Sequence, residues 1–211
     1  MTTADFTDLT SAAIAYLRDI DPVMRLAIDR GGPCTLQPDS NLFQQLIEAI
    51  LSQQISVRAA AAITARLKAA LPTGEITPDA LIALDQDALR ALGLSTPKAR
   101  YVRDLTERVA SGQLNLEQLL TLDDEAVITE LIAIKGIGRW TAEMLLIFAM
   151  GRADVLPVDD LGLLDGVKEA YGLPTRPTRA EMLERGKLWR PYRTFATWYM
   201  WKWRRTTMGI E

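Results

Sequence analysis

Residues 131–162 read LIAIKGIGRWTAEMLLIFAMGRADVLPVDDLG. At the centre lies Ile134-Lys135-Gly136-Ile137-Gly138, a turn between two apolar helical segments. Two glycines in so short a turn permit positive φ and close backbone approach. The second helix, expected over Arg139–Met150, opens with amides of Gly138, Arg139 and their neighbours that lack an intrahelical acceptor. Those amides and the helix dipole make an anion site, able to seat a nucleic-acid phosphate without base preference. The same five residues also fit an ordinary helix corner with a glycine C-cap. Trp140 to Met150 is apolar nearly all round, which predicts a buried helix. Beyond it, Pro157-Val158-Asp159-Asp160-Leu161-Gly162 places an Asp pair before an apolar helical segment. One reading is an N-cap; the other is a carboxylate at the mouth of an apolar pocket, suited to stabilising a developing cation.

Outward from this stretch nearly every segment reads as helix. Leu9–Asp19 and Pro22–Arg30 are amphipathic and closed by Gly31-Gly32-Pro33. Ser40 or Asn41 caps a helix carrying Leu42, Phe43, Leu46, Ile47, Ile50 and Leu51. Val57–Leu71, Asp79–Leu84, Gln86–Leu92, Pro97–Ala110, Leu116–Leu122 and Asp124–Ile134 follow, each stopped by glycine, proline or polar turns. No two-residue alternation of useful length occurs. The expected fold class is all-α, about ten short helices in a single domain over 1–211.

Composition narrows the chemistry. The 211 residues are 48% hydrophobic with a net charge of −3, as in an ordinary globular chain, and no apolar run reaches membrane-spanning length. No membrane association and a cytoplasmic location are expected, since no secretory signal is visible at the N-terminus. A single cysteine, Cys34, excludes a disulfide framework and a cysteine-ligated iron–sulfur cluster. With no histidine at all, Ser-His-Asp triads and His-based zinc sites are excluded, and acid–base chemistry falls to carboxylates, Lys or Tyr. Charge is uneven: Arg185 to Ile210 holds seven basic residues and no acidic one, so the remainder carries −10. Four of the five tryptophans share that segment, which suits either an anionic polymer or a terminal helix with its aromatics in the core.

Taken together, the hairpin with GIG, its second helix and an Asp about twenty residues on resemble the helix-hairpin-helix DNA glycosylases. GIGRWTAEM and LPVDDLGL are most similar to the DNA-3-methyladenine glycosylase II family. FQQLIEAILSQQISVRAAAAITARL (Phe43 to Leu67), LSTPKARYVRDLTE and KLWRPYRTFATWYMW resemble further segments of that family in the same order, so the likeness spans about Leu36 to Trp203. It implies two helical lobes around a cleft, a hairpin over about 124–151, and a compact form lacking the N-terminal β domain of larger members.

The resemblance also implies roles. Asp160 matches the catalytic carboxylate, with Asp159 as the fallback. Trp140 and Trp201 match aromatics of the base pocket, with Met144 and Leu161 as second candidates. Gln54, with Gln53 and Ser56 beside it, matches the wedge inserted into the minor groove, while Gly136, Gly138 and Arg139 match the phosphate-binding hairpin. Backbone carbonyls of Ile132, Ile134 and Ile137 match a site for Na+ or K+, and no cofactor is expected for catalysis. Trp140 stands where bifunctional relatives carry a Schiff-base lysine, which implies a monofunctional hydrolase without lyase activity. The expected substrate is double-stranded DNA with alkylated purines such as 3-methyladenine, acted on by a monomer at the bacterial nucleoid. The competing expectations are another lesion and a non-catalytic DNA-binding module.

Overall fold

The structure, a computed structural model, describes residues 3–209. Its helices are, in chain order, α1 (Thr3–Ile20), α2 (Pro22–Gly31), α3 (Leu42–Ser52), α4 (Val57–Ala70), α5 (Pro78–Ile82), α6 (Gln86–Ala91), α7 (Thr96–Ala110), α8 (Leu116–Leu119), α9 (Asp124–Ile132), α10 (Arg139–Phe148), α11 (Leu161–Ala170), α12 (Arg179–Trp189) and α13 (Arg193–Thr207). No strand occurs among the described residues, and the all-α class holds. Among the described residues thirteen helices replace the ten or so expected. Most starts carry a side-chain cap: Asn41, Ser56, Thr77, Asp85, Asn115 and Asp123 each accept an N–H of the first turn. At α12, Thr178 and Glu181 form a reciprocal capping box. The hairpin helices end earlier than periodicity suggests, α9 at Ile132 and α10 at Phe148. Gly136 and Gly151 there take φ of +87° and +65°, which a continuing helix cannot contain.

By internal contacts the chain falls into two compact units, one of residues 1–38 with 146–211 and one of 39–145. In the first, α13 packs on α11, α2 and α1. Asp21 caps α2, accepting from Val23 and Met24 N–H at 2.9 and 3.3 Å. Its other oxygen accepts from the Tyr171 hydroxyl and from Trp189 Nε1, tying α2 to the ends of α11 and α12. Burial and the Asp21 carboxylate push the Tyr171 hydroxyl well above its ordinary pKa. At Gly166 a Cβ would stand 2.3 Å from the Met200 carbonyl oxygen, so glycine is what lets α11 and α13 approach at this level.

The basic, aromatic C-terminal segment resolves in favour of the core. Trp189, Phe195, Trp198 and Tyr199 are buried. Arg193 forms a bidentate pair with Asp154, and Arg204 meets Asp165 and Glu169. Much of the cationic charge that suggested an anionic polymer is thus balanced by carboxylates of the same unit.

The 39–145 unit is centred on α3, whose Leu42, Phe43, Leu46, Ile47, Ile50 and Leu51 are all buried as the spacing predicts. α4 and α7 pack on it, and α5 and α6 cover α7. α7 therefore has α3 on one side and reaches the hairpin through Tyr101, whose ring lies against Gly136.

Candidate functional site

Asp160 and Asp159 differ sharply in surroundings. Asp159 is exposed, and its carboxylate pairs with the Arg179 guanidinium. Asp160 is half-buried at the N-cap of α11, where Oδ1 accepts the Leu163 N–H at 2.6 Å. The same oxygen accepts from the Trp201 indole Nε1 at 2.7 Å. The N-cap reading of the Asp pair thus holds at Asp160, whose carboxylate is also gripped by an indole. Two donors on one oxygen fix the rotamer and aim the carboxyl plane, which suits a group that must meet a positive centre at a set place. Trp201 stands on α13 with its ring stacked on Phe148, centroids 5.7 Å apart and planes 15° from parallel. Leu161, next to Asp160, is 59% exposed and offers an apolar wall at the start of α11.

The structure adds a contact that the resemblance does not imply, the Trp201 N–H donating to the Asp160 carboxylate. Phe148 was missed by the sequence reading, although its place two turns after Trp140 on α10 was a usable signal. A Trp201→Phe variant keeps an aromatic ring against Phe148 and removes the N–H together with part of the indole. Loss of one charge-assisted hydrogen bond predicts about a tenfold fall in single-turnover base release, with melting little changed.

In the 39–145 unit the hairpin takes the expected form with tighter constraints. Gly136 lies against Tyr101; a Cβ would stand 2.3 Å from Cδ2 of that ring. Gly138 is different, with no atom within 4 Å of a Cβ and no positive φ. Its lack of a side chain answers no demand of the fold and leaves the N-terminus of α10 open to a partner. Gly138→Ala is accordingly expected to leave the melting temperature unchanged and to weaken duplex DNA binding about threefold or more, measured by fluorescence anisotropy.

Arg139 is exposed but paired within the hairpin. Its guanidinium pairs with Glu125 of α9 and, at 3.1 Å, with Glu143 one turn on. The hydrogen bonds from Arg139 hold the Glu125 carboxyl below its usual pKa. Beside the turn runs a groove of about 580 Å³ lined by Arg100, Tyr101, Lys135 and Gly136 among others, with Arg100 and Lys135 exposed. Arg100 was not singled out from sequence; it stands two residues past Lys98 on α7.

The helix over Trp140–Met150 is not buried all round. Thr141, Ala142, Glu143, Leu145, Leu146, Ile147 and Ala149 are buried, but Trp140 is 51% exposed and Met144 half-buried. The apolar run hid an outward stripe at four-residue spacing.

Gln53 and Gln54 separate. Gln53 is half-buried and donates its amide to the Gly136 carbonyl at 2.7 Å. Gln54 is exposed with φ +56°, the sole positive φ outside glycine among the described residues. Ser56 is exposed and spends its hydroxyl on capping α4, accepting from Ala59 N–H at 3.2 Å. Flanking Gln54 are exposed Ile55 and Val57, the latter 88% exposed, so the turn is less polar than its glutamines imply.

Residues 47–191 match the model of the HhH-GPD superfamily of base excision DNA repair proteins. The chain belongs to that superfamily. This HhH-GPD chain is 40% identical over 162 residues to DNA-3-methyladenine glycosylase 1 of Schizosaccharomyces pombe, covering 76% of this chain and 71% of that protein. A solved DNA-3-methyladenine glycosidase of Bacillus halodurans superposes with a TM-score of 0.85 at 36% identity, covering 93% of this chain and 91% of that one. The S. pombe 3-methyladenine DNA glycosylase in complex with abasic DNA superposes at 0.78 with 35% identity, covering 90% and 95% of the two chains. As an HhH-GPD protein the chain has the all-α glycosylase fold, and no described helix is long and apolar enough to cross a membrane.

Proposed function

We propose that this HhH-GPD chain is a monofunctional DNA N-glycosylase that removes alkylated purines, 3-methyladenine foremost, from double-stranded DNA. The observation that carries it is the Asp160 carboxylate, held by the Leu163 and Trp201 N–H groups beside an exposed apolar Leu161. Names of relatives that act on 3-methyladenine support the substrate. The flipped nucleotide presents its C1′ near Asp160. As the bond from C1′ to the purine nitrogen breaks, the electron pair leaves with the base and the sugar becomes oxocarbenium-like. The carboxylate stabilises that charge and orients a water, whose oxygen bonds to C1′ and whose proton is released. Products are the free base and an abasic site. An alkylated purine carries positive charge, so it leaves without an acid, which fits a chain with no histidine. The position of Trp140 supplies no amine for a Schiff base.

Carbonyls at the hairpin turn support the reading of a monovalent-cation site. Ile132 closes α9, where a carbonyl lacks an intrahelical partner, and the Ile134 carbonyl accepts the Ile137 N–H at 3.1 Å with a second lone pair to spare. Neutral carbonyls suit Na+ or K+, and no group of three acidic, Cys or His residues able to hold a metal occurs among the described residues. Such an ion would add positive charge where a phosphate sits. The working unit is a monomer at the nucleoid. Release of free bases from methylated duplex DNA, followed by chromatography, tests the reading. Free 3-methyladenine without strand cleavage supports it; intact bases with DNA binding retained would move the chain to another lesion or to a binding module.

A further inference from the structure

α7 holds two distant segments of the 39–145 unit at once. Lys98, in its first turn, is half-buried and donates from Nζ to the Leu51 carbonyl at 2.7 Å and to the Gln53 carbonyl at 2.6 Å. Those carbonyls end α3, the partly negative pole of a helix dipole, where an ammonium is well placed. One turn on, the Tyr101 ring backs Gly136. From the α3 side, Gln53 donates to the Gly136 carbonyl across 83 positions of sequence. The loop after α3 and the hairpin are therefore bolted to one helix and to each other.

Between the two bolts and the next helix stands Gln54 with its left-handed backbone. A non-glycine residue persists there only where its surroundings over-determine it, and a residue so held has lost freedom before any partner arrives. The Lys98 clamp acts on the carbonyl of Gln53, the peptide that leads into Gln54.

We propose that Lys98 is a positioning residue for base flipping: with Gln53 it locks the Gln54 turn to the hairpin, so that seating a phosphate on the hairpin and presenting Gln54 to the duplex are one event. This rests on the glycosylase reading and adds a residue and a coupling to it. Without the clamp, the hairpin still binds DNA while Gln54 no longer arrives in place.

The test uses the full chain and two duplexes, one undamaged and one with a stable abasic-site analogue, together with base release from methylated DNA. Lys98→Met keeps the aliphatic stem and removes the donors. Expected are undamaged-duplex affinity within about threefold of wild type, set by phosphate contacts, and a drop of about tenfold in abasic-duplex affinity and single-turnover release. Lys98→Arg, which can still reach two carbonyls, recovers most of that loss. Gln53→Leu, which cuts the hairpin tie alone, lowers the abasic-to-undamaged ratio similarly and serves if Lys98→Met does not fold. A merely structural lysine would lower melting temperature and both affinities together. An unchanged ratio in these variants overturns the coupling while leaving the glycosylase reading intact. A wild-type chain that neither releases bases nor prefers the abasic duplex removes both.

Discussion

Asp160→Asn is expected to fold, to bind duplex DNA as wild type does, and to lose at least about 10²-fold in single-turnover base release. Asparagine caps a helix as well as aspartate, so the Leu163 N–H keeps its acceptor, and the Trp201 indole can still donate to a carbonyl oxygen. What disappears is the negative charge that the oxocarbenium-like sugar needs, a difference felt in the transition state and not in the ground state. Asp160→Ala would confuse the result by removing the cap as well, at about 1 kcal/mol of stability. Asp159→Asn is the matched control: that carboxylate is exposed and engaged by Arg179, and its loss should leave the rate within about twofold. Were the Asp159 variant the inactive one, the assignment would pass to it.

Gly136→Ala carries the largest expected effect on stability. A methyl group there would stand 2.3, 2.6 and 2.7 Å from three carbons of the Tyr101 ring, at a φ of +87°. The left-handed backbone costs an alanine about 1–2 kcal/mol, and displacing a ring braced by α7 adds to it, so a total loss of about 3 kcal/mol is expected in denaturant unfolding. Gly138→Ala in the same experiment should register nearly nothing. The contrast separates the two glycines of one motif: the first serves the fold and the second is left open to a partner. Equal losses in both variants would refute that division.

Much of this was legible because the decisive signals are local. The 3.6-residue spacing in α3 gave its buried face residue by residue, and the GIG turn, its flanking helices and the Asp pair are contiguous in sequence. The illegible parts are bonds between residues far apart. Gln53 and Gly136 are separated by 83 positions, Asp160 and Trp201 by 41, and nothing in composition or periodicity links either pair. Helix α10 shows a different limit. Its apolar run predicts a helix buried nearly all round and cannot say which residues face out, so the exposure of Trp140 appears only in the structure, while its place in a base pocket is what the resemblance implies. Charge was misleading in the same way, since counting the C-terminal arginines could not reveal that Asp154 and Asp165 neutralise them at home.

The contact of Gly166 with the Met200 carbonyl bears on how this enzyme could be adapted. Asp160 belongs to the N-terminus of α11 and Trp201 follows Met200 directly on α13, so the close approach at Gly166 sets the register in which their side chains meet. At Gly162 a Cβ would stand 3.1 Å from Asp160 Oδ1 and 3.2 Å from Trp201 Cδ1, so a side chain there would press on the pair itself. A designer seeking new lesions would find this pair the part of the protein least open to gradual change. Freedom lies instead in Leu161, whose exposed side chain can vary without disturbing the α11–α13 register. Diversification of the substrate range should accumulate there, beside a carboxylate–indole pair that stays as it is.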